Sequence, residues 1–522
     1  MKNIKTVVAV VLAAILVISS VSVSCAEASP GREENDRLNL DPINITPSSV
    51  SISKGQSYQM NAILGPDYTG AEISWNSSNT SVATVRNGLV TGLSSGTATI
   101  TATINYAVPE GQSNYDTCLV TVSSTGIISN GTYFIENVNA GKYIDVEGPS
   151  TSNGAKMQLW ELTGDSQRKW TVSLGSDGYY RIQSNYSNKY MRVTGSSSTA
   201  GATITQNSSI VSGSKWSFMI TSAGNYAIIP ACSGTTLIVL NAPGTSNGYD
   251  LNTEVYTKNS DYKDEWTLTR MLPTNGSEIA YNASDWTSVP SNCYQYVLNC
   301  QAKPWDPVQP WLYAQPGDYS HQSISGFGQN PSLITDAVTE DYNCYNDDFG
   351  TSKYFGAVQK YALCNSGCYK VALVIGPKTT GGYDYHWYRQ DADGLWSHKR
   401  GSNSPTRTDA ADKLIIDPET ASRNYSNCNY STFVGFFQLT PWNHMITNGS
   451  YSFNIDEMSE REAAILILTS KGAVSLSGRA VFELSLGDSD FLVFDCELME
   501  GYKVVNGVRS EITLNDLIGG NK

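Results

Sequence analysis

The stretch that decides the fold is GTYFIENVNAGKYIDVEGPSTSNGAKMQLWELTGDSQRKW, residues 131–170, because its pattern returns twice along the chain. A second copy occupies residues 178–216, and a third, beginning GNYAIIP, occupies residues 224–266. The copies end at Trp170, Trp216 and Trp266, which are 46 and 50 residues apart. Because a single copy cannot bury its own apolar face, the repetition predicts one threefold barrel with the three tryptophans in its core.

These repeats resemble the ricin-type β-trefoil lectins, through the motifs QLW at 158–160 and QRKW at 167–170. The resemblance implies an all-β trefoil over residues 127–270 whose partners are glycans. In that family each repeat binds sugar with an aspartate, an exposed aromatic ring and a polar group. A carboxylate accepts sugar hydroxyls, and the ring packs on the apolar side of the pyranose. In the first repeat these positions are Asp145, Trp160 and Gln167.

The other two repeats depart from the family pattern. In the second repeat Arg192 stands at the aspartate position and Asn207 at the aromatic position. In the third repeat Val239 replaces the aspartate, although Tyr256 keeps an aromatic ring. We therefore expect one sugar pocket, in the first repeat; the alternative is a degenerate trefoil that serves only as a spacer.

Residues 43–123 show short strands in which apolar residues alternate, for example Val50 with Ile52 and Val120 with Val122. Alternation between turn residues predicts a two-sheet sandwich. The segment ISWNSSNTSVATVRNGLVTGLSSGTATITAT, residues 73–103, resembles the bacterial immunoglobulin-like domain of group 2. The resemblance implies a spacer or adhesion module with Trp75 in the core, and we expect no chemistry in this segment.

The N-terminal segment predicts export. Lys2 and Lys5 precede an apolar run over residues 7–18, and small residues lead to Ala28. This pattern is typical of a signal peptide, here residues 1–28, followed by a linker over 29–42. We expect a protein secreted to a bacterial cell surface, without a membrane span after cleavage. An uncleaved anchor and a lipidated Cys25 are the alternatives.

Length and composition agree with an extracellular array. The 522 residues predict three or four domains. A net charge of −14 argues against a nucleic-acid partner. The ten cysteines include no pair of CxxC motifs, so we expect no metal site and no cofactor.

Residues 275–445 contain all four histidines of the chain. Asn292 is a suitable N-cap for a helix that starts at Cys293 and continues through Cys300 at helical spacing. A thiol in the first turn of a helix faces free N–H groups, which favour the thiolate. We therefore expect iodoacetamide to label Cys293 faster than the other thiols at neutral pH.

Strands are predicted over residues 369–377, 383–390 and 395–399, with a turn at 391–394. Folding the last two about residue 392 brings His386 opposite His398 on one face of the hairpin. A general base and the group that orients it would then lie on adjacent strands.

This order resembles the papain-like cell-wall hydrolases of the NlpC type and their CHAP relatives. The matching residues are Asn292-Cys293-Tyr294, His386-Trp387-Tyr388 and Ser397-His398, with a Pro-Gly-Asp turn at 316–318. The resemblance implies an α+β papain-like domain in which Cys293 is the nucleophile, His386 the base and His398 the orienting residue. Asp391 is the alternative third residue. The interval of 93 residues from Cys293 to His386 predicts an insertion around 320–365.

The remaining segments carry less information. Cys364 and Cys368 are predicted to be structural, Cys344 and Cys428 have no assigned role, and residues 446–522 are expected to form a small α+β extension packed on the preceding unit. The sequence thus predicts a multidomain chain: a sandwich, a trefoil, a papain-like domain and this extension. We expect a secreted carbohydrate-binding cysteine peptidase or amidase that acts on cell-wall peptides (peptidoglycan) or glycoproteins. The alternatives are a non-enzymatic adhesin and a papain-like acyltransferase.

Overall fold

A computed structural model describes residues 41–257, 261–287, 291–301 and 313–443, together with short strands between residues 445 and 513. The chain is multidomain and mostly β, with an immunoglobulin-like unit, a trefoil and a C-terminal unit. The predicted signal peptide and the linker as far as residue 40 lie outside the described residues. Within the described part, no helix has both the length and the apolar character needed to cross a membrane.

The immunoglobulin-like unit is a sandwich, as predicted. One sheet has the order β2-β9-β8-β5, and β3, β7 and β6 form the other layer beside the β1–β4 pair. Trp75 is half-buried and packs against the core between the layers. The strands are β1 (Ile43–Thr46), β2 (Ser49–Lys54), β3 (Gln56–Gln59), β4 (Asn61–Leu64), β5 (Ile73–Ser77), β6 (Ala83–Arg86), β7 (Leu89–Gly92), β8 (Gly96–Ile104) and β9 (Tyr115–Gly126).

The three repeats form one closed barrel with a cap of three hairpins. The barrel strands pair in a ring, β10-β13-β14-β17-β18-β21, and β21 returns to β10. The hairpins β11–β12, β15–β16 and β19–β20 form the cap. The strands are β10 (Gly131–Asn137), β11 (Lys142–Val146), β12 (Met157–Trp160), β13 (Trp170–Leu174), β14 (Tyr180–Ser184), β15 (Tyr190–Val193), β16 (Ile204–Asn207), β17 (Trp216–Ile220), β18 (Tyr226–Pro230), β19 (Ile238–Asn241), β20 (Asn252–Val255) and β21 (Trp266–Arg270).

The repeat-ending tryptophans lie in the trefoil core, which confirms their predicted role. Trp170, Trp216 and Trp266 are each 0% exposed. Their indole N–H groups donate to backbone carbonyls of the β11, β15 and β19 hairpins at 2.9, 3.1 and 3.0 Å. Each buried indole therefore has its polar group satisfied while it joins the barrel to the cap.

The immunoglobulin-like unit is docked directly onto the trefoil. Strand β3 pairs in parallel with β17, so that the two units share a continuous sheet. Beside this pairing, the Ser57 hydroxyl lies 2.7 Å from that of Thr91 and donates to that of Ser217 at 2.9 Å. A buried hydroxyl cluster with all members paired favours one relative placement of the two units.

The C-terminal unit is a five-stranded antiparallel sheet of order β22-β26-β23-β24-β25 with two described helices. Strands β23 and β24 occupy the residues that the sequence predicts, and an 18-residue helix occupies part of the predicted insertion. The elements are α1 (Cys293–Leu298), α2 (Ser332–Phe349), β22 (Phe355–Ala357), β23 (Tyr369–Pro377), β24 (Tyr383–Gln390), β25 (Trp396–His398) and β26 (Thr432–Leu439).

The described part of the tail consists of strands. Leu492, Phe494 and Ile512 belong to the same buried cluster as α1 and β23, so the tail packs on the C-terminal unit as expected. Among the described residues of the tail there is no helix of the predicted α+β extension. The strands are β27 (Met445–Thr447), β28 (Ser450–Ser452), β29 (Val474–Ser475), β30 (Val481–Gly487), β31 (Asp490–Asp495), β32 (Glu500–Val505) and β33 (Val508–Thr513).

The trefoil also contacts the C-terminal unit. Phe134 of the trefoil shares a small buried cluster with Leu395 and Ile416 of the C-terminal unit. Close to it, Lys169 donates from Nζ to the carbonyl of Asp393 at 2.7 Å. The first trefoil repeat therefore lies next to the β24–β25 hairpin.

Candidate functional sites

The first trefoil repeat holds a carboxylate at the predicted sugar position. Asp145 on β11 lies directly opposite Gln158 on β12, and Gln158 Nε2 donates to Asp145 Oδ2 at 2.8 Å. Arg168 Nε lies 3.5 Å from Asp145 Oδ1. The carboxylate is therefore oriented by two side chains and is only 4% exposed. Burial raises its pKa, and the contacts from Gln158 and Arg168 oppose that rise.

Arg168 joins the carboxylate to the aromatic residue of the pocket. Its guanidinium carbon lies 5.9 Å from the centre of the Trp160 ring. The same guanidinium donates to Thr163 at 2.6 Å and to Asp165 at 2.8 Å, which holds it in place. Sequence reasoning did not identify Arg168, although it directly follows Gln167 in the QRKW motif.

Trp160 and Gln167 are partly exposed beside the buried carboxylate. A carboxylate is a hydrogen-bond acceptor, and a glutamine side chain both donates and accepts, so these residues provide polar groups beside a partly exposed aromatic ring. The structure therefore places Asp145 and Trp160 on one hairpin with Arg168 near both, and Gln167 directly precedes Arg168.

The equivalent position of the second repeat aligns as predicted, but the prediction for the third repeat was wrong. The indole bonds of the three core tryptophans go to Ile144, Met191 and Leu240, so the residues that follow these, Asp145, Arg192 and Asn241, are equivalent. Arg192 pairs with Thr205 and Asn241 with Asn252, at the same register as Asp145 with Gln158. Val239 lies two residues earlier and is buried, and Glu254, not Tyr256, stands at the position of Trp160. The second and third hairpins thus lack a carboxylate at this position.

In the C-terminal unit, Cys293 is the first residue of α1, as predicted. Asn292 is the N-cap, and its Oδ1 accepts from the Gln295 amide at 3.0 Å. The helix ends before Asn299, which adopts a left-handed conformation, so Cys300 lies beyond it. The prediction that Cys300 continues the helix was wrong.

The expectation of a thiolate at Cys293 is also corrected. Burial raises the pKa of the Cys293 thiol to about 12, against the opposing effect of a hydrogen bond from the Trp387 backbone. A helix of six residues provides little dipole, and the loss of hydration outweighs it. Cys293 is therefore a neutral thiol at pH 7, and fast labelling by iodoacetamide is no longer expected.

His386 and His398 form the predicted imidazole pair. His386 Nε2 lies 2.7 Å from His398 Nδ1, and His398 Nε2 lies 3.0 Å from the Thr408 carbonyl. Burial lowers the pKa of His386 well below its usual value and that of His398 to about 4, so both rings are neutral at pH 7.

These contacts determine the tautomers. A carbonyl oxygen only accepts hydrogen bonds, so His398 carries its proton on Nε2 and accepts at Nδ1. His386 must then donate from Nε2, which leaves its Nδ1 as the unprotonated, basic nitrogen. The Thr408 carbonyl thus acts through His398 to orient the base, a role that sequence reasoning did not find.

The hairpin that carries the histidines differs from the prediction by one residue. Tyr388 lies opposite His398, and Gln390 lies opposite Trp396, so the hairpin folds about residue 393 instead of 392. His386 is therefore a diagonal neighbour of His398. The two rings still share a face because side chains alternate along a strand.

The thiol approaches this pair from the other face of the sheet. Cys293 belongs to the buried cluster that contains Trp387, whereas the His386 ring contacts Tyr388 and Tyr430 on the opposite face. The hydrogen bond from the Trp387 backbone places the sulfur against β24, one residue from His386. Among the described residues, Cys293 makes no hydrogen bond to either ring. The structure therefore brings His386 and His398 into contact, whereas Cys293 lies beside the strand that carries His386.

Asp391 does not orient the imidazoles, so the alternative assignment was wrong. Its carboxylate accepts from Ser397 at 2.8 Å and from Arg389 and Arg407 at 3.2 Å. These contacts form a buried network at the hairpin turn, in which the two carboxylate oxygens of Asp391 accept hydrogen bonds from two guanidinium groups. Asp391 therefore holds the hairpin together.

None of the eight cysteines that the structure describes forms a disulfide. Cys368 Sγ lies 3.4 Å from the Thr440 hydroxyl, and Cys428 Sγ donates to the Gly376 carbonyl at 3.5 Å. Cys364 is buried and Cys344 is partly exposed on α2.

Comparison with known proteins decides the identity of the first two units. Residues 122–207 match the ricin-type beta-trefoil lectin domain-like family, and residues 39–111 match the bacterial Ig-like domain (group 2). The chain therefore contains a ricin-type beta-trefoil lectin-like domain. Its trefoil is a lectin-like, carbohydrate-binding type of domain preceded by an immunoglobulin-like domain.

Individual relatives cover the length of about one domain. Insoluble matrix shell protein 1 of Ruditapes philippinarum is 32% identical over 154 residues, which are 29% of this chain and 80% of that protein. The designed threefold protein ThreeFoil is 29% identical, covers 27% of this chain and 99% of its own, and has a TM-score of 0.25. The Rhizoctonia solani agglutinin is 18% identical over 27% of this chain and 96% of its own, also with a TM-score of 0.25.

Proposed function

We propose that the protein is a lectin that binds glycans through the first repeat of its trefoil. The observation that supports this most is the oriented carboxylate of Asp145 on the same hairpin as the partly exposed Trp160. Two side chains already hold the carboxylate, so little reorganisation is needed when sugar hydroxyls bind. Export and a location at the bacterial cell surface are part of this proposal and rest on the N-terminal sequence.

A glycan array tests the lectin proposal. Trp160→Ala should weaken binding about fivefold, because an aromatic face packed on a sugar contributes roughly 1 kcal/mol. Asn207→Ala, at the equivalent position of the second repeat, is the matched control and should bind like the wild type. Equal binding by all three proteins would contradict the assignment of the pocket.

A second proposed function is cysteine-dependent hydrolysis in the C-terminal unit. It is supported by the imidazole pair, in which the Thr408 carbonyl and His398 leave a basic nitrogen on His386. The sulfur of Cys293 lies against the strand that carries His386. A polar constellation of this kind is unusual in a buried position unless it serves chemistry.

In the proposed reaction, the sulfur of Cys293 lies at the edge of β24, where the Trp387 backbone binds it, and must turn around this edge towards the face of His386. His386 Nδ1 then takes its proton as the sulfur attacks an amide carbonyl. The protonated imidazole then gives that proton to the leaving amine, and water releases the acid from the thioester. Because both rings are neutral at rest, His386 acts as a general base and not as half of an ion pair. Peptides of the cell wall or of glycoproteins are the proposed substrates.

Release of peptides from cell walls or glycoproteins tests this second function. Cys293→Ala should reduce release to background, and His386→Ala should slow it by about a hundredfold or more. Cys344→Ala removes a thiol on α2 and should retain wild-type activity. Equal inactivity of all proteins would favour the non-enzymatic adhesin, and amide synthesis without hydrolysis would favour the acyltransferase.

A further inference from the structure

Lys399 is a buried cation in the C-terminal unit that the proposed reaction does not yet use. The residue follows His398 and is 0% exposed. Its Nζ donates to the carbonyl of Ser291 at 2.5 Å and to that of Gly401 at 2.8 Å. Since Ser291 immediately precedes the N-cap Asn292, Lys399 holds the segment that leads into Cys293.

A buried ammonium group is unfavourable unless hydrogen bonds or an opposite charge compensate it. Two carbonyls satisfy two of its three N–H groups, and within the described residues it forms no ion pair with a carboxylate. Burial lowers the pKa of Lys399 to about 8, and the neighbouring Cys293 group opposes this shift. Because Ser291 lies only two residues before Cys293, its bond to Lys399 Nζ places the ammonium group at the start of α1, near the thiol.

Other titratable groups also face the sulfur. Asp384 and Tyr385 lie on β24, and Tyr430 donates to Asp384 at 2.8 Å. Asp384 raises the pKa of Cys293 and so disfavours the thiolate. His386, on the same strand, is neutral, which leaves Lys399 as the cation identified next to the thiol among the described residues.

We propose that Lys399 is a positioning residue of the thiol site: it holds the segment before Cys293 and supplies the positive charge that stabilises the thiolate. The inference rests on the proposed thiol chemistry. When the proton moves from sulfur to His386 Nδ1, the new negative charge meets an ammonium group that keeps its own protons. Lys399 thus acts through Cys293 and does not itself contact the substrate.

The rate at which iodoacetamide labels Cys293, followed by mass spectrometry of its peptide, tests this role. At pH 7, Lys399→Met should label about tenfold more slowly, since removal of the charge raises the thiol pKa by about one unit. Lys399→Arg should stay near the wild-type rate. The difference should fade above pH 8, where Lys399 itself loses its charge.

Lys370→Met is the matched control. Lys370 is also 0% exposed and donates to two carbonyls, of Lys360 and Ala362, each at 2.8 Å. Its removal should leave the labelling of Cys293 unchanged. If Lys399→Met unfolds, Lys399→Gln retains donors for the carbonyls without the charge and should show the same slower labelling.

Labelling at the wild-type rate in Lys399→Met and Lys399→Gln would overturn the proposal. Faster labelling would also overturn it, because it would mean that the Lys399 side chain only shields the thiol from the reagent. The experiment needs no substrate. Slower labelling together with absent peptide release would therefore support the role of Lys399 and contradict the proposed hydrolysis separately.

Discussion

The trefoil and the C-terminal unit assemble their polar sites in opposite ways. In the trefoil, Asp145, Gln158 and Arg168 lie within one repeat and meet across a single hairpin. In the C-terminal unit, Cys293 and His386 are 93 residues apart in the chain. Cys293 begins helix α1, whereas His386 lies on strand β24 of the sheet on which this helix packs. The first site depends on local geometry, whereas the second depends on the packing of the whole unit.

This difference has a consequence for evolution and for engineering. A pocket within one hairpin can be lost in two repeats while the barrel remains intact, as Arg192 and Asn241 illustrate. A site shared by distant elements tolerates less change, because a shift of either element moves the reacting groups apart. Perturbations of fold stability should therefore affect the two sites unequally.

The largest expected effect is on the trefoil barrel. Trp216→Ala should lower the free energy of unfolding by about 3–5 kcal/mol, because it leaves a large cavity and removes the indole bond to the Met191 carbonyl. Trp160→Ala, at a partly exposed position, is the control and should cost about 1 kcal/mol or less. Urea unfolding measures both values, and equal losses would contradict the assignment of Trp216 to the core.

Sequence alone predicts the trefoil well because its signal is repeated. Three buried tryptophans at similar spacing define a barrel, and the correspondence of Asp145 with Arg192 follows from it. The third repeat was misaligned by two residues, since Asn241 and not Val239 stands at this position. The strands β23 and β24 are also predicted at the correct residues, since continuous runs of buried residues mark them.

The thiol site was predicted less completely for physical reasons. Alternation along the strands puts His386 and His398 on one face, but it cannot detect the turn that moves the pairing register by two residues. The pKa of Cys293 depends on burial by distant elements, which local sequence does not reveal. The backbone carbonyl of Thr408 has no sequence signature, whereas Lys399 in WSHK was visible next to His398 and was overlooked.

The second expected effect is acid destabilisation of the C-terminal unit. Burial lowers the pKa of His398 to about 4, so between pH 6.5 and 4 the unfolded chain binds more protons than the folded one. Stability should fall by roughly 3 kcal/mol as the pH decreases through this window, and level off below it for this residue. His398→Gln should show a shallower decline in thermal unfolding between pH 7 and 4. An unchanged slope would indicate that His398 is not buried in neutral form.

The lectin pocket is the central claim, and calorimetric titration tests it most directly, with the sugar that binds best on the array as the probe. Asp145→Ala should lose at least about tenfold in affinity, because sugar hydroxyls lose a charged acceptor. Cys293→Ala, altered only in the distant thiol, should bind that sugar with the wild-type affinity. Unchanged affinity in Asp145→Ala, or an equal loss in both variants, would contradict the account.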